Sequence, residues 1–203
     1  MLVSSGAYAE NAYDKNHVFY FGGIFGFGAT TWHQLIPTQE NQNDAMAMST
    51  PILVEEGGGT WGLMLGFEFH PQFAIELNYL NYPASHIYFD EFSIFSFEHD
   101  GTTLHSETES VNLMGKFMIP FYHDRFKVFS SLGAAILYRH DPVMDDSRLT
   151  PCFGAGINYR VNTQFLLEIA GNYTAGFGQS QLSPANGYFP FLYSITGRLA
   201  YFL

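Results

Sequence analysis

Residues 61–82 read WGLMLGFEFHPQFAIELNYLNY, two alternating runs joined by Pro71-Gln72. In the first run Trp61, Leu63, Leu65, Phe67 and Phe69 alternate with Gly62, Met64, Gly66, Glu68 and His70. In the second, Phe73, Ile75, Leu77 and Tyr79 alternate with Ala74, Glu76, Asn78 and Leu80. Successive side chains of a strand point to opposite faces, so each run is a strand with one large apolar face and one small or polar face. Each has about the 9–11 residues of a tilted membrane strand. The pair is therefore a hairpin whose bulky face points away from the small and charged one.

The same period recurs along the chain. Val111, Leu113, Gly115, Phe117 and Ile119 alternate with Ser110, Asn112, Met114, Lys116 and Met118. Phe153, Ala155, Ile157, Tyr159 and Val161 alternate with Cys152, Gly154, Gly156, Asn158 and Arg160. Residues 165–174 and 191–203 repeat the pattern, with Glu168 and Arg198 on their polar faces. Residues 18–33 and 126–139 are more continuously apolar and complete a set of eight strands.

The connections alternate in length. Short links at 70–72, 122–125 and 162–164 join strands two to three, four to five and six to seven. Long ones at about 34–60, 84–107, 140–150 and 175–189 follow strands one, three, five and seven. Short periplasmic turns and long external loops are the pattern of transmembrane barrels, and a soluble sandwich has no reason for it. The long links collect acids such as Glu55, Glu56, Asp90, Glu91, Asp145 and Asp146, with Arg148 the basic residue clearly among them. The expected fold is all-β, an eight-stranded antiparallel up-and-down transmembrane barrel. Acidic loops lie outside and both termini in the periplasm of a bacterial outer membrane.

Composition agrees. Charged residues make up 13 % of the chain, about half the usual share in soluble domains. The net charge of −11 excludes a phosphate-binding basic stripe, and with it nucleic acid. The lone Cys152 excludes a disulfide framework and reads as a small strand residue rather than a reactive thiol. The most apolar stretch, 18–32, is too short and too rich in Gly for a spanning helix, so a membrane span must be a barrel. Ala7-Tyr8-Ala9 before Glu10 has the small-x-small form of a signal-peptidase site. Residues 1–9 are thus expected to be a signal-peptide remnant, and 10–203 one barrel domain.

Phe19-Tyr20-Phe21-Gly22-Gly23, Gly62-Leu63-Met64-Leu65-Gly66-Phe67, Ala74-Ile75-Glu76-Leu77-Asn78-Tyr79 and Gly154-Ala155-Gly156-Ile157-Asn158-Tyr159 resemble the outer-membrane β-barrel domains of the OmpA-like and OmpX-like type. The resemblance runs over about residues 17–203. It implies an interior ion-pair cluster, no open pore, and insertion by the outer-membrane assembly machinery, which reads a terminal aromatic. Here the chain departs from the pattern, because Phe202 is penultimate and Leu203 is last.

Eight strands leave an interior just wide enough for side chains to fill. Glu68, Glu76 and Glu168 share the inward faces with Lys116, Arg160 and Arg198. Lone charges there are costly, so these six are expected to pair across the lumen. Phe129, Met64 and Met114 add bulk, which favours a plugged interior over a narrow channel.

Small barrels of this size also include lipid A acyltransferases and deacylases that use a rim His with Ser and an acid. His33 and His105-Ser106-Glu107 lie at that level. Neighbours on a strand point to opposite faces, so Ser106 cannot join His105 and Glu107; no catalytic site is assigned. His86, His99 and His105 share a loop with acids, but their spacing matches no established ligand pattern, and neither metal nor cofactor is expected.

The second long loop is unusually apolar, with Ile87, Phe89, Phe92, Ile94, Phe95 and Phe97. It reads as a hairpin beyond the bilayer whose open edge can recruit a partner by strand addition. The expected partners are the lipid bilayer, lipopolysaccharide and a host or surface protein. The expected role is envelope integrity or surface contact, without catalysis.

Overall fold

The protein is described by a computed structural model over residues 19–32, 51–94, 96–97, 101–122, 125–178 and 187–203. The N-terminal segment 1–9 lies outside the described residues, as do His33, Phe95 and His99. Ten strands occur among the described residues: β1 (Phe19–Thr30), β2 (Pro51–Glu55), β3 (Gly58–His70), β4 (Phe73–Asn81), β5 (Ser85–Phe89), β6 (Thr103–Tyr122), β7 (Phe126–His140), β8 (Asp145–Arg160), β9 (Phe165–Thr174) and β10 (Leu192–Phe202).

Eight of them, β1, β3, β4 and β6 to β10, pair with their neighbours in antiparallel order. The ring closes where β1 meets β10, from Tyr20 opposite Phe202 to Thr30 opposite Leu192. Closure leaves no edge in the ring, so every ladder group inside lipid has a partner. The outward residues Leu63, Leu132, Ile169 and Ile195 are between 61 and 69 % exposed. No protein covers this apolar surface; it is a lipid-facing band. Aromatic rings border it at both ends. Phe19 packs on Phe67 and Phe73 on Phe117 at the short-turn end, and Trp61 on Tyr79 and Tyr173 on Tyr193 toward the long-loop end.

Four strands depart from what the alternation predicts, two by being additional and two by being longer. β2 and β5 lie within stretches read as loops, and β6 and β8 begin at Thr103 and Asp145, seven residues before the strands expected at 110 and 152. β2 pairs with β5 and β5 with the start of β6, so a small sheet continues past the barrel rim. Its period of two is intact, with Leu104, Ser106 and Thr108 buried and His105 and Glu107 facing out. Above the lipid the outward positions of β6 are His105 and Glu107 instead of hydrocarbon, so hydrophobic alternation fades although the strand goes on.

Close approach requires glycine at position 66. A side chain at Gly66 would run into the ring of Tyr20. Gly66→Ala is expected to cost about 1–3 kcal/mol by overpacking, measured by denaturant unfolding in detergent micelles. Gly115→Ala, whose new methyl would meet only the Leu132 carbonyl at 3.8 Å, should unfold close to the parent. Equal effects would remove the packing argument.

Candidate functional site

Inward positions of four strands build an ionic ring in the lumen. Glu76 follows Ala74 and precedes Asn78 on the buried face of β4, Lys116 lies on β6, and Glu168 and Arg198 are direct partners on β9 and β10. Lys116 Nζ is 2.8 Å from Glu76 Oε1 and also bonds Glu168 Oε2. Arg198 Nη1 lies 3.3 Å from Glu76 Oε2 and 2.9 Å from Glu168 Oε1. Each carboxylate thus touches both cations, and the four form a closed ring whose members are at most 4 % exposed.

Further donors and acceptors complete it. Tyr20 on β1 donates its hydroxyl to Glu76 Oε1 at 2.6 Å. Arg198 Nη2 donates to Asn172 Oδ1 at 2.7 Å, and the Lys116 ammonium sits 4.0 Å above the Phe129 ring. Charges desolvated this fully are tolerable only when their remaining hydrogen-bonding capacity is met in this way.

The other two residues expected in the network form a separate cluster nearer the short-turn end. Arg160 Nη2 lies 3.2 Å from Glu68 Oε2, and Lys127 Nζ lies 3.6 Å from Glu68 Oε1 and donates to the Pro71 carbonyl at 2.7 Å. Lys127 joins these two, although no polar alternation marks its face. Placing Phe129 in the interior puts Lys127 there too, two residues away on the same face. A cavity of about 10 Å³ remains among Tyr20, Glu68, Lys116, Lys127, Asn158 and Arg160, room for about one water.

At the long-loop end Arg139 is fully buried. Its Nε is 2.5 Å from Asp141 Oδ2, its Nη1 donates to the Tyr188 carbonyl at 2.6 Å, and its guanidinium lies 4.7 Å over the Trp32 ring. Asp141 Oδ1 accepts from the Val143 and Met144 amides, and Ser106 Oγ lies 3.0 Å from Oδ2. Burial pushes the Tyr188 phenol above its ordinary pKa, against the hydrogen bond from Thr31. Trp32, Val54, Ile87, Phe89, Phe97, Leu104 and Tyr188 pack into one apolar cluster over the mouth.

This cluster divides the apolar loop set. Ile87, Phe89 and Phe97 are buried in it, whereas Phe92 and Ile94 are 74 and 66 % exposed. The open edge expected along this segment is corrected as well, because β5 is hydrogen-bonded on both sides, by β2 and by β6. The inner-facing hydrophobics are there to fill the cap, which the polar reading of a loop does not anticipate. Ser106 is buried against Asp141, on the opposite face from His105 and Glu107, so the three do not meet. Cys152 is buried beside Met114 and Ala135.

The model of the OmpA-like transmembrane domain matches residues 14–202. The chain belongs to this family. Several solved structures share its fold across nearly their full length. Neisserial surface protein A aligns with a TM-score of 0.56 at 8 % identity, covering 91 % of this chain and 97 % of that one. AlkL, solved in lipid bilayers, gives 0.53 at 14 % identity, covering 92 % and 91 %. OprG from Pseudomonas aeruginosa gives 0.51 at 13 % identity, covering 91 % and 96 %. At such identities the likeness is one of fold. No curated protein sequence matches this OmpA-like chain. The fold is that of bacterial outer-membrane barrels, resident in a lipid bilayer.

Proposed function

We propose that this barrel is a plugged surface protein, serving envelope integrity and contact at the cell surface rather than transport or catalysis. The observation that carries the reading is the closed ring of Glu76, Lys116, Glu168 and Arg198. It spans the lumen with side chains from β4, β6, β9 and β10, and each charge is already engaged. A conducting path would have to break buried ion pairs, which costs several kcal/mol.

The long-loop end then carries the function. It faces outward, both chain ends lie in the periplasm, and the assembly machinery inserts the chain. Ile52 and Leu53 on β2 and Phe92 and Ile94 after β5 are exposed there, beside acids that attract the cations bridging lipopolysaccharide phosphates. Apolar side chains rimmed by charge suit contact with a host or surface protein. The Neisserial protein of this fold is, by name, a surface protein.

Purified protein in planar bilayers is expected to give no stable large conductance. Reproducible porin-sized steps would overturn the plug. For the surface role, cells displaying the barrel are expected to adhere to host-cell monolayers, and Phe92→Ser with Ile94→Ser to lower that adhesion. Adhesion equal to that of cells lacking the protein would remove the surface role.

A further inference from the structure

Among the described residues there are four histidines, and three of them, His86, His105 and His140, lie on the outer face of the sheet at the long-loop end. His86 on β5 and His105 on β6 are direct cross-strand partners. Their ring centroids are 4.3 Å apart and the rings stand at 82° to one another. Glu55 on β2 is the partner of His86 on its other side. Glu107 lies two residues beyond His105 on the same face, opposite His140, whose Nδ1 is 2.6 Å from Asp145 Oδ1. Imidazoles and carboxylates therefore alternate across one surface outside the lumen.

The two imidazoles are held side by side on a rigid ladder, and the neutral ring is the form that ligates a metal. Zinc, copper and nickel suit imidazole, whereas calcium and magnesium take oxygen ligands. Rotation of the two side chains out of this edge-to-face contact points a nitrogen of each at one ion beside the pair, at the usual Zn–N distance of about 2.0–2.1 Å. Among the described residues no three ligating side chains converge on one point, so the histidines supply two positions. Water, or the exposed Glu55 or Glu107 carboxylate after rotation, supplies the rest. The net charge of −11 raises the local cation concentration.

We infer that His86 and His105 form a two-imidazole site for a divalent transition metal of the zinc, copper or nickel type, on the outer face of the loop-end sheet. The site stands apart from the ionic ring and does not depend on the plug.

The test is copper(II) binding to the full, tag-free chain folded in detergent micelles, followed by electron paramagnetic resonance and by competition with a chelator. The parent protein should show coupling to two equatorial nitrogens at neutral pH and lose the metal on acidification, as protons compete for the ligating nitrogens. His86→Ala and His105→Ala should each weaken binding at least about tenfold and change the nitrogen coupling, while His140→Ala keeps both. His86→Asn and His105→Asn, closer in size, repeat the comparison, and gel mobility before and after heating verifies the barrel in every variant. Unchanged affinity and coupling in the double variant His86→Ala/His105→Ala would sink the proposal, as would a loss produced by His140→Ala alone.

Discussion

Lys116→Ala is expected to destabilise the barrel by about 3–5 kcal/mol, read from urea unfolding of protein refolded into lipid vesicles. Lys116 is bonded to both Glu76 and Glu168. Its removal leaves two buried carboxylates facing one guanidinium, and the attraction that offset their desolvation is halved. The cation–π contact with the Phe129 ring is lost as well. The size of the effect comes from what is left uncompensated, not from the strength of one bond.

A paired change separates these two accounts. In Lys116→Met with Glu76→Gln one acid and one base go together, leaving Glu168 and Arg198 as a matched pair at 2.9 Å. Replacing a buried ion pair by groups of similar volume is often close to neutral. The double variant should therefore be more stable than Lys116→Ala. If its loss instead equals the sum of the two single changes, the ring is not an electrostatic unit, and simple packing explains its burial.

Much of this site could be read before any coordinates. Glu76, Lys116, Glu168 and Arg198 lie on strands whose alternation is unbroken, so their facing follows from period alone, and charge balance does the rest. Closure was legible in the alternation of short and long links. What was not legible depends on contacts between segments far apart in sequence. Tyr20 reaches Glu76 across 56 positions, and only the space left by Gly66 makes that possible. Lys127 sits in an apolar run where neither face is marked by polarity. The sheet of β2, β5 and the start of β6 was hidden because its outward face mixes polar groups such as His86, His105 and Glu107 with the exposed Leu53, and its inward face fills a cap instead of a lumen. Phe92 and Phe89 look alike in the sequence, yet one is exposed and the other buried, since only the cap's tertiary packing distinguishes them.

That cap depends on Arg139, and its loss should be felt locally. Arg139→Ala removes the partner of Asp141, the donor to the Tyr188 carbonyl and the cation over Trp32 in one step. Asp141 keeps the Ser106 hydroxyl and two backbone amides, so the loss is expected at the lower end of the buried-pair range, about 3 kcal/mol. Native-state hydrogen exchange should show it as reduced protection of the Phe177–Phe189 bridge amides and of the β7 and β8 ends near Arg139. Amides around Glu76 and Lys116 should exchange as in the parent, because the ring lies at the other end of the lumen. Arg139→Lys should rescue little. An ammonium keeps the charge but lacks the planar fork that serves Asp141 and Tyr188 at once while stacking on Trp32. Protection unchanged at the bridge, or lost equally at the ring, would show that Arg139 does not hold the cap as a separate unit.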